Sequence, residues 1–302
     1  MEYNQYISPD GQTYNFDNQV DKFLVNISGT GMPEINPITN QLPFRHGEIR
    51  VGYRLAPRLI RLMHHSISGC DRPSMYSNRD TLLDILRPNR TSTEEPGVLR
   101  KIFEDGSKRD LNVYFSGSLT LDETEDHLDR ARWYVRDIIE FTAYDPIFYD
   151  PTESSQVLNI SSIEEVVFPI TFDISFSGNI VEAIANINYS GNWETSPIIE
   201  ITGPVNNPNI VNETTGKRIV MNYKVKSGET VTINTDSYKP TVVDGSSNNL
   251  IGYISGQSNL IDFDIVPAPV AASGVNAIKV WGGANYEPAQ FTIKYMNRYV
   301  GY

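Results

Sequence analysis

Residues 195–216, TSPIIEITGPVNNPNIVNETTG, combine two strand-like runs with a bend that carries two prolines. Residues 197–202 and 209–212 are rich in isoleucine and valine, which strands favour. Between them, Gly203 and Pro204 begin a bend, because proline fixes one backbone angle and cannot donate to a sheet ladder. The stretch therefore predicts a strand, a firm corner, a second strand and a turn.

Strand patterns of similar length continue through the second half of the chain, separated by turn dipeptides such as Ser227-Gly228, Asp244-Gly245 and Gly282-Gly283. Many short strands at this spacing predict an all-β sandwich. The further strands are predicted at residues 166–170, 181–187, 217–223, 230–234, 261–264, 277–281 and 290–295.

The first half is also dominated by strand patterns. Residues 47–54 alternate between apolar and polar side chains, which predicts a half-buried strand. Residues 98–103 and 111–115 flank an Asp105-Gly106 dipeptide, which predicts a hairpin. Other strands are predicted at residues 14–16, 22–27, 57–63 and 133–141.

One helix is predicted at residues 77–88. Ser77 or Asn78 can cap its start, and Pro88 ends it because proline cannot continue a helix. Its apolar side comprises Leu82, Leu83, Ile85 and Leu86. A further helical turn is predicted near residues 125–131.

A length of 302 residues predicts two domains. Two Asp-Pro steps, at Asp145 and Asp150, interrupt any regular ladder and mark the boundary. We therefore predict a mainly β protein with an N-terminal domain at residues 1–152 and a C-terminal domain at residues 153–302. The first would be a β-sandwich with a β-hairpin and a short α-helix, and the second a further β-sandwich.

The chain is acidic, with 25 Lys/Arg, 37 Asp/Glu and a net charge of −12, which argues against non-specific binding to nucleic acid. The charge is uneven: residues 45–109 hold 13 basic against 8 acidic residues, whereas residues 110–199 hold 3 against 16. Two interpretations remain open. The charged runs are solvated surface, or a basic patch on one copy meets an acidic patch on the next.

A single cysteine, Cys70, excludes an internal disulfide and a cysteine-based metal cluster. The first residues lack the basic start and apolar run of a signal peptide, and no stretch approaches the roughly 18 apolar residues of a membrane span. These features lead us to expect a soluble protein that is neither exported by a standard route nor inserted in a membrane.

Few residues suggest chemistry. Adjacent histidines His64 and His65 on a strand would point to opposite faces and could not share one metal. The acidic run at residues 122–129 could bind a cation or supply a glycosidase dyad, but its polarity fits a solvated loop better. We therefore predict no enzyme, no catalytic or metal site and no cofactor.

Trp193 has two interpretations: it stacks on a sugar together with the neighbouring Asn192, or it packs against its own sheet. These two residues are the candidate carbohydrate contacts.

The C-terminal half resembles that of phage distal tail proteins, the siphophage-type tail component family. The resemblance rests on residues 186–204 with their Gly-Pro corner, and on residues 207–217, 227–234 and 295–302. In the first half, residues 45–47, residues 55–62, the helix that ends at Arg87-Pro88 and residues 143–149 match in kind and order. One departure is Asn192, where many members carry aspartate, and it weakens any claim of ligand or ion binding there.

The resemblance implies a galectin-like C-terminal sandwich and a structural role without enzymatic activity. The N-terminal domain would form a homohexameric ring, the belt, which joins the tail tube protein to a baseplate hub or tail fibre protein. DNA would pass through the lumen without specific binding, and lumen-facing side chains would be acidic or neutral. A fixed corner would then present the same surface in every copy.

The location implied is the tail tip, or baseplate, of a virion that assembles in the host cytoplasm. A receptor-binding protein is a further expected partner, so the ring would take part in host attachment. The alternative function is a carbohydrate-binding adhesin that uses the galectin-like domain with Trp193 and Asn192. A third and remote function is a glycosidase built on the carboxylates at residues 122–129.

Overall fold

The computed structural model describes residues 2–17, 22–24, 26–44, 46–88, 90–117, 119, 122–125, 133–160, 182–283 and 288–302. The chain forms two compact units: Met1–Pro151 with Tyr299–Tyr302, and Thr152–Arg298. The sequence assigned everything after residue 152 to one domain. The last four residues lie in the first unit instead, because side chains of that unit bind their carbonyl groups.

Where the structure describes it, the first unit consists mainly of strands and contains one helix. Its elements in chain order are β1 Tyr3–Ile7, β2 Thr13–Asn15, β3 Lys22–Phe23, β4 Asn26–Ser28, β5 Ile35–Gln41, β6 Glu48–Leu55, β7 Arg58–Gly69, α1 Arg72–Leu86, β8 Gly97–Ile102, β9 Lys108–Phe115, β10 Asp122–Glu125, β11 Trp133–Ala143 and β12 Phe148–Tyr149.

A single antiparallel network runs in the order β2-β1-β8-β9-β11-β7-β3, with β4 paired to β7 and β10 paired to β11. The sheet curls over a shared core, since the rings of Tyr6 on β1 and Phe141 on β11 stack with centroids 5.2 Å apart. Ile60 and Leu62 of β7 complete this core with no exposed surface. Alternate residues of β7 and β11 therefore face inward, as strand geometry requires.

The helix α1 begins earlier than predicted. Asp71, rather than Ser77 or Asn78, caps it, because its Oδ1 accepts the Ser74 backbone N–H at 2.8 Å. The last helical residue is Leu86, and Arg87 is already extended, as a residue before proline prefers to be. Leu82, Ile85 and Leu86 are buried as expected, whereas Leu83 is exposed.

The predicted hairpin is confirmed as β8 and β9, which pair from Gly97–Val113 to Ile102–Lys108. Gly106 at its tip has a φ of +83°, a conformation that favours glycine. Residues 47–54 do form a strand, β6, but the prediction that it is half-buried is wrong. β5 and β6 pair only with each other, as a two-stranded ribbon whose side chains are mostly exposed.

In its described residues, the second unit is all β apart from three single-turn 3₁₀ helices. Its strands are β13 Ser154–Ile160, β14 Glu182–Asn188, β15 Ile198–Thr202, β16 Val205–Asn206, β17 Asn209–Asn212, β18 Lys217–Val220, β19 Lys224–Val225, β20 Thr230–Asn234, β21 Thr241–Asp244, β22 Val275–Trp281 and β23 Ala289–Tyr295. A final strand, β24 Arg298–Tyr299, spans the return to the first unit.

Two sheets share the core of the second unit. The first has the order β13-β23-β15-β20-β21 and the second β14-β22-β17-β18. Ile199, Ile233 and Phe291 from the first sheet join Ile210 and Ile278 from the second in one buried cluster. The mainly β class is confirmed.

The corner of residues 203–208 follows β15 as predicted. Val205 is buried and pairs with Val225, so the corner adds a short ribbon of β16 and β19. Gly203 is required, since a Cβ there would lie 2.3 Å from the Lys226 carbonyl oxygen.

The strand predicted at residues 261–264 is wrong. Leu260–Asp262 is a 3₁₀ turn, in which the Asp262 N–H bonds the Asn259 carbonyl. The strand predicted at residues 166–170 and most of the helical turn predicted at 125–131 lie outside the described residues.

Candidate interaction surfaces

The β5–β6 ribbon is the most exposed apolar feature of the first unit. A bulge between Ile38 and Thr39 shifts the pairing, so that Ile38 faces Gly52 and Thr39 faces Arg50. Because paired residues share a face, the bulge moves the apolar side chains from one face to the other. The Arg50 guanidinium accordingly lies on the face of Tyr53, 5.5 Å from the ring centroid.

The root half of the ribbon carries Ile35, Pro37, Tyr53 and Leu55 on one face. The tip half carries Ile38 and Ile49 on the opposite face, and the turn beyond them holds Leu42 and a fully exposed Phe44. An isolated pair of strands is marginally stable in water, and contiguous apolar patches of this kind mark interaction sites. The ribbon therefore has the character of an arm that another surface covers.

Buried Arg58 fixes the root of this ribbon. Its Nη1 donates to the carbonyls of Gly29, at 2.6 Å, and Gly31, in the segment that leads into β5. Its Nε donates to Pro146 at 2.9 Å and its Nη2 to Val300 at 2.6 Å. Burial lowers the pKa of the guanidinium to about 10, so Arg58 stays charged at neutral pH.

The segment Tyr299–Tyr302 supports the same root. The Tyr302 N–H donates to the Thr30 carbonyl at 3.2 Å, and its ring packs on Phe148 at a centroid distance of 4.9 Å. Arg109 donates to the Gly301 carbonyl at 2.8 Å and stacks on the Tyr299 ring at 3.9 Å. Sequence reasoning missed this cluster, since its members are spread across the whole chain.

A second exposed apolar area covers the outer face of β7 and β11. Arg61 and Glu140 form an ion pair of 2.6 Å there, and their register places Leu59, Met63 and Ile138 on the same face. Tyr144, just beyond β11, stacks edge-on with Tyr114 of β9 at 5.5 Å. We call this the outer sheet face.

The candidate sugar contacts, Asn192 and Trp193, lie in the segment between β14 and β15 of the second unit. Asn192 is exposed and Trp193 is half-buried, and both donate their backbone N–H to the Arg298 carbonyl. The Tyr189 hydroxyl donates to the Trp193 carbonyl. These bonds fix the backbone and leave the carbohydrate role of both side chains a prediction.

Two carboxyls near this segment escaped sequence reasoning. Burial raises the pKa of Glu194 and of Asp264, and the Asp264 charge raises that of Glu194 further. The Ser196 hydroxyl donates to Asp264 at 2.7 Å.

Other residues that drew attention in the sequence have structural settings. His65 is fully buried, with its ring edge-on to Phe16 at 5.5 Å. In the part of the chain that the structure describes, no three histidine, cysteine or acidic side chains are grouped to hold a metal. Among those same residues, no helix has the length and apolarity to cross a membrane. Asp122–Glu125, which belong to the acidic run expected to form a loop, instead form strand β10, and this strand pairs with β11.

Comparisons with known proteins agree with these features. Residues 190–299 match the family model of the siphovirus-type tail component, C-terminal domain. The resemblance to the siphophage-type tail component family is confirmed. The match covers β15 to β23 and the corner whose sequence carried the resemblance.

The fold of the whole chain is similar to the crystal structure of the SPP1 Dit protein, with a TM-score of 0.63 and 13% sequence identity over 99% of each chain. That protein is described as a paradigm of the hub adsorption apparatus in Gram-positive infecting phages. At this identity the likeness establishes a Dit-like fold. No match is found among curated protein sequences.

Proposed function

We propose that this protein is the hub subunit of a phage tail tip, a distal tail protein of which six copies form a ring. The observation that carries the proposal is the β5–β6 ribbon, whose apolar side chains lie exposed on both faces of a firmly rooted arm. A monomer gains nothing from such an arm, whereas a ring subunit uses it to hold its neighbour.

The family match supports this role, because the family consists of structural tail components. The ring would join the tail tube protein to a baseplate hub or tail fibre protein, and it would belong to the virion. The two-sheet second unit would be a galectin-like platform for a receptor-binding protein. DNA would pass through the lumen of the ring without specific contacts.

The decisive experiment is negative-stain imaging of the purified protein together with light scattering. We expect six-fold rings with an open centre and a mass about six times the 34.0 kDa subunit. Rings should be lost in Ile49→Asp, which places a charge on the ribbon. A control is Tyr238→Asp, at an even more exposed site of the second unit, which should keep the rings.

Particles without six-fold symmetry, or a chain that stays monomeric at high concentration, would contradict the proposal. Equal ring formation by Ile49→Asp and the unmodified chain would remove the ribbon from the assembly.

A further inference from the structure

We propose that the four-stranded sheet of the second unit binds a neutral oligosaccharide on the face that points away from the core. Along β22, Val280 is buried whereas Lys279 and Trp281 are half-buried, so these two side chains point outward. The strand register places Glu182 of β14 and Asn209 of β17 on either side of Trp281. We call Glu182, Asn209, Lys279 and Trp281 together the Trp281 face.

An aromatic ring with fixed polar neighbours is the centre of the Trp281 face. The Lys279 ammonium lies 5.8 Å from the centroid of the Trp281 ring and forms an ion pair of 2.5 Å with Glu182. A sugar ring has a face of C–H groups bordered by hydroxyl groups. It can therefore stack on an indole while its hydroxyl groups bond to polar side chains around that indole. Because the charges of Lys279 and Glu182 cancel, the face favours a neutral sugar over an anionic one.

The corner that follows β15 supplies amide groups next to this ring. The Gly283 N–H donates to the Asn206 carbonyl at 2.5 Å, which joins the corner to the chain two residues beyond Trp281. The Asn209 side chain donates to the Asn207 carbonyl at 2.9 Å, so its amide has a fixed orientation. That bond uses one amide hydrogen, and the second hydrogen and the oxygen of an amide can each bind a hydroxyl group.

Asn207 has an unusual backbone conformation in this corner. Its φ is +47°, in the left-handed region that residues other than glycine and asparagine rarely adopt. Its N–H donates to the Tyr223 carbonyl at 3.0 Å, and the residue is exposed. Backbone strain of this kind is concentrated at binding and active sites. The fixed corner thus holds asparagine amides beside the Trp281 face.

The outward face of the five-stranded sheet in the same unit offers a comparison. It carries a similar ion pair, in which Lys294 bonds Glu200 at 2.6 Å. Around this pair, the outward residues of β15, β20 and β23 are threonine, asparagine, glutamine and isoleucine, so these three strands present no aromatic ring there. The indole is therefore the feature that distinguishes the Trp281 face as a site for a sugar.

The test measures sugar binding by the full chain. An array of neutral and acidic oligosaccharides identifies a ligand, and titration followed by saturation-transfer NMR gives its Kd. We expect Trp281→Ala to weaken the binding of a neutral oligosaccharide by about tenfold or more, and Trp281→Phe, which keeps a ring, by less than about threefold. Tyr238→Ala is the matched control, because it removes an exposed aromatic ring between β20 and β21 of the other sheet, and it should leave the Kd unchanged.

A second variant separates the loss of binding from a loss of folding. Asn209→Ala keeps the indole and removes one amide, so it should weaken binding by about threefold. Circular dichroism of every variant shows whether the second unit is folded. The proposal does not rest on the ring, since Trp281→Ala should form the same six-fold rings as the unmodified chain.

Three outcomes would overturn the inference. The first is that no neutral oligosaccharide binds, or that acidic ones alone bind. The second is an equal Kd for Trp281→Ala and the unmodified chain. The third is a loss of binding in Trp193→Ala but not in Trp281→Ala, which would place the sugar at Asn192 and Trp193 instead. Each of these results leaves the proposed hub intact as long as the rings form.

Discussion

The Arg58 side chain donates a hydrogen bond of 2.6 Å to the carbonyl oxygen of Val300, 242 residues further along the chain. The same guanidinium binds the carbonyls of Gly29, Gly31 and Pro146. The buried Arg58 guanidinium thus connects the segment before the ribbon, the segment after β11 and residues 299–302. Its removal should affect all three.

We expect Arg58→Lys to destabilise the first unit by about 3 kcal/mol, because buried carbonyls lose charged donors that a single ammonium cannot replace. Urea denaturation followed by circular dichroism measures the change. Arg218→Lys is the control, since the side chain of exposed Arg218 donates to the Gln257 side chain in the second unit, and this substitution should shift stability by less than about 0.5 kcal/mol. Equal effects of the two substitutions would contradict this account.

Removal of residues 299–302 should lower the stability of the first unit by about 3 kcal/mol, because two packed aromatic rings are lost together. Thermal unfolding of the shortened chain is the measurement. Tyr299→Phe keeps the ring and removes the hydroxyl that donates to Asp150, so it should cost about 1 kcal/mol or less. A truncated chain that is as stable as the unmodified chain would show that residues 299–302 do not stabilise the first unit.

The ion pair of Asp10 with Arg90 should make stability depend on acid pH. The Arg90 side chain, helped by Ser8, holds the pKa of Asp10 well below its usual range. A depressed carboxyl pKa contributes stability above the unfolded value of about 3.9, and that stability is lost as pH falls toward the folded value. Asp10→Asn should therefore be less stable at pH 7, and the difference should shrink below about pH 4 in urea titrations. A difference that is constant with pH would contradict the prediction.

Asp264 should give stability the opposite dependence on pH. Burial raises its pKa, so the folded state prefers the protonated form and loses stability as pH rises from the unfolded value of about 3.9 through the folded one. Asp264→Asn keeps an oxygen that can accept from Ser196, and it should stabilise the second unit at pH 7. The gain should vanish below about pH 4, and a loss of stability at pH 7 would contradict the assignment.

The proposed passage of DNA through a ring of six copies predicts that this protein binds DNA weakly. A lumen with acidic or neutral walls gains nothing from counterion release, and the chain carries a net charge of −12. Fluorescence anisotropy with a DNA duplex at physiological salt should give a Kd weaker than about 10⁻⁴ M. Tight binding that weakens steeply with added salt would indicate a basic lumen instead.

Sequence reasoning was most accurate where local chemistry decides the structure. The Asp105-Gly106 hairpin, the strand Thr230–Asn234 and the corner after Ile198–Thr202 all follow from turn residues next to short apolar runs. The helix start was misplaced because Ser77 and Asp71 are both good caps. The helix begins after Asp71, and its earlier turn carries Met75, whose side chain is buried.

The candidate surfaces could not be derived in the same way. Alternation in residues 47–54 indicates a strand, but whether a protein covers its apolar face depends on the rest of the fold. The bulge opposite Ile38 reverses the faces and leaves no mark in the apolar pattern. The Arg58 cluster joins residues that are separated by up to 242 positions, which no local pattern records.

The chain leaves the first unit after Pro151 and re-enters it at Tyr299. The second unit is consequently inserted into the first, and the chain connects the two units twice. A protease that cuts one of these connections does not release the second unit. A force that pulls on the inserted unit is shared between its two connections. Another domain could replace it if the first and last residues of that domain lie close together.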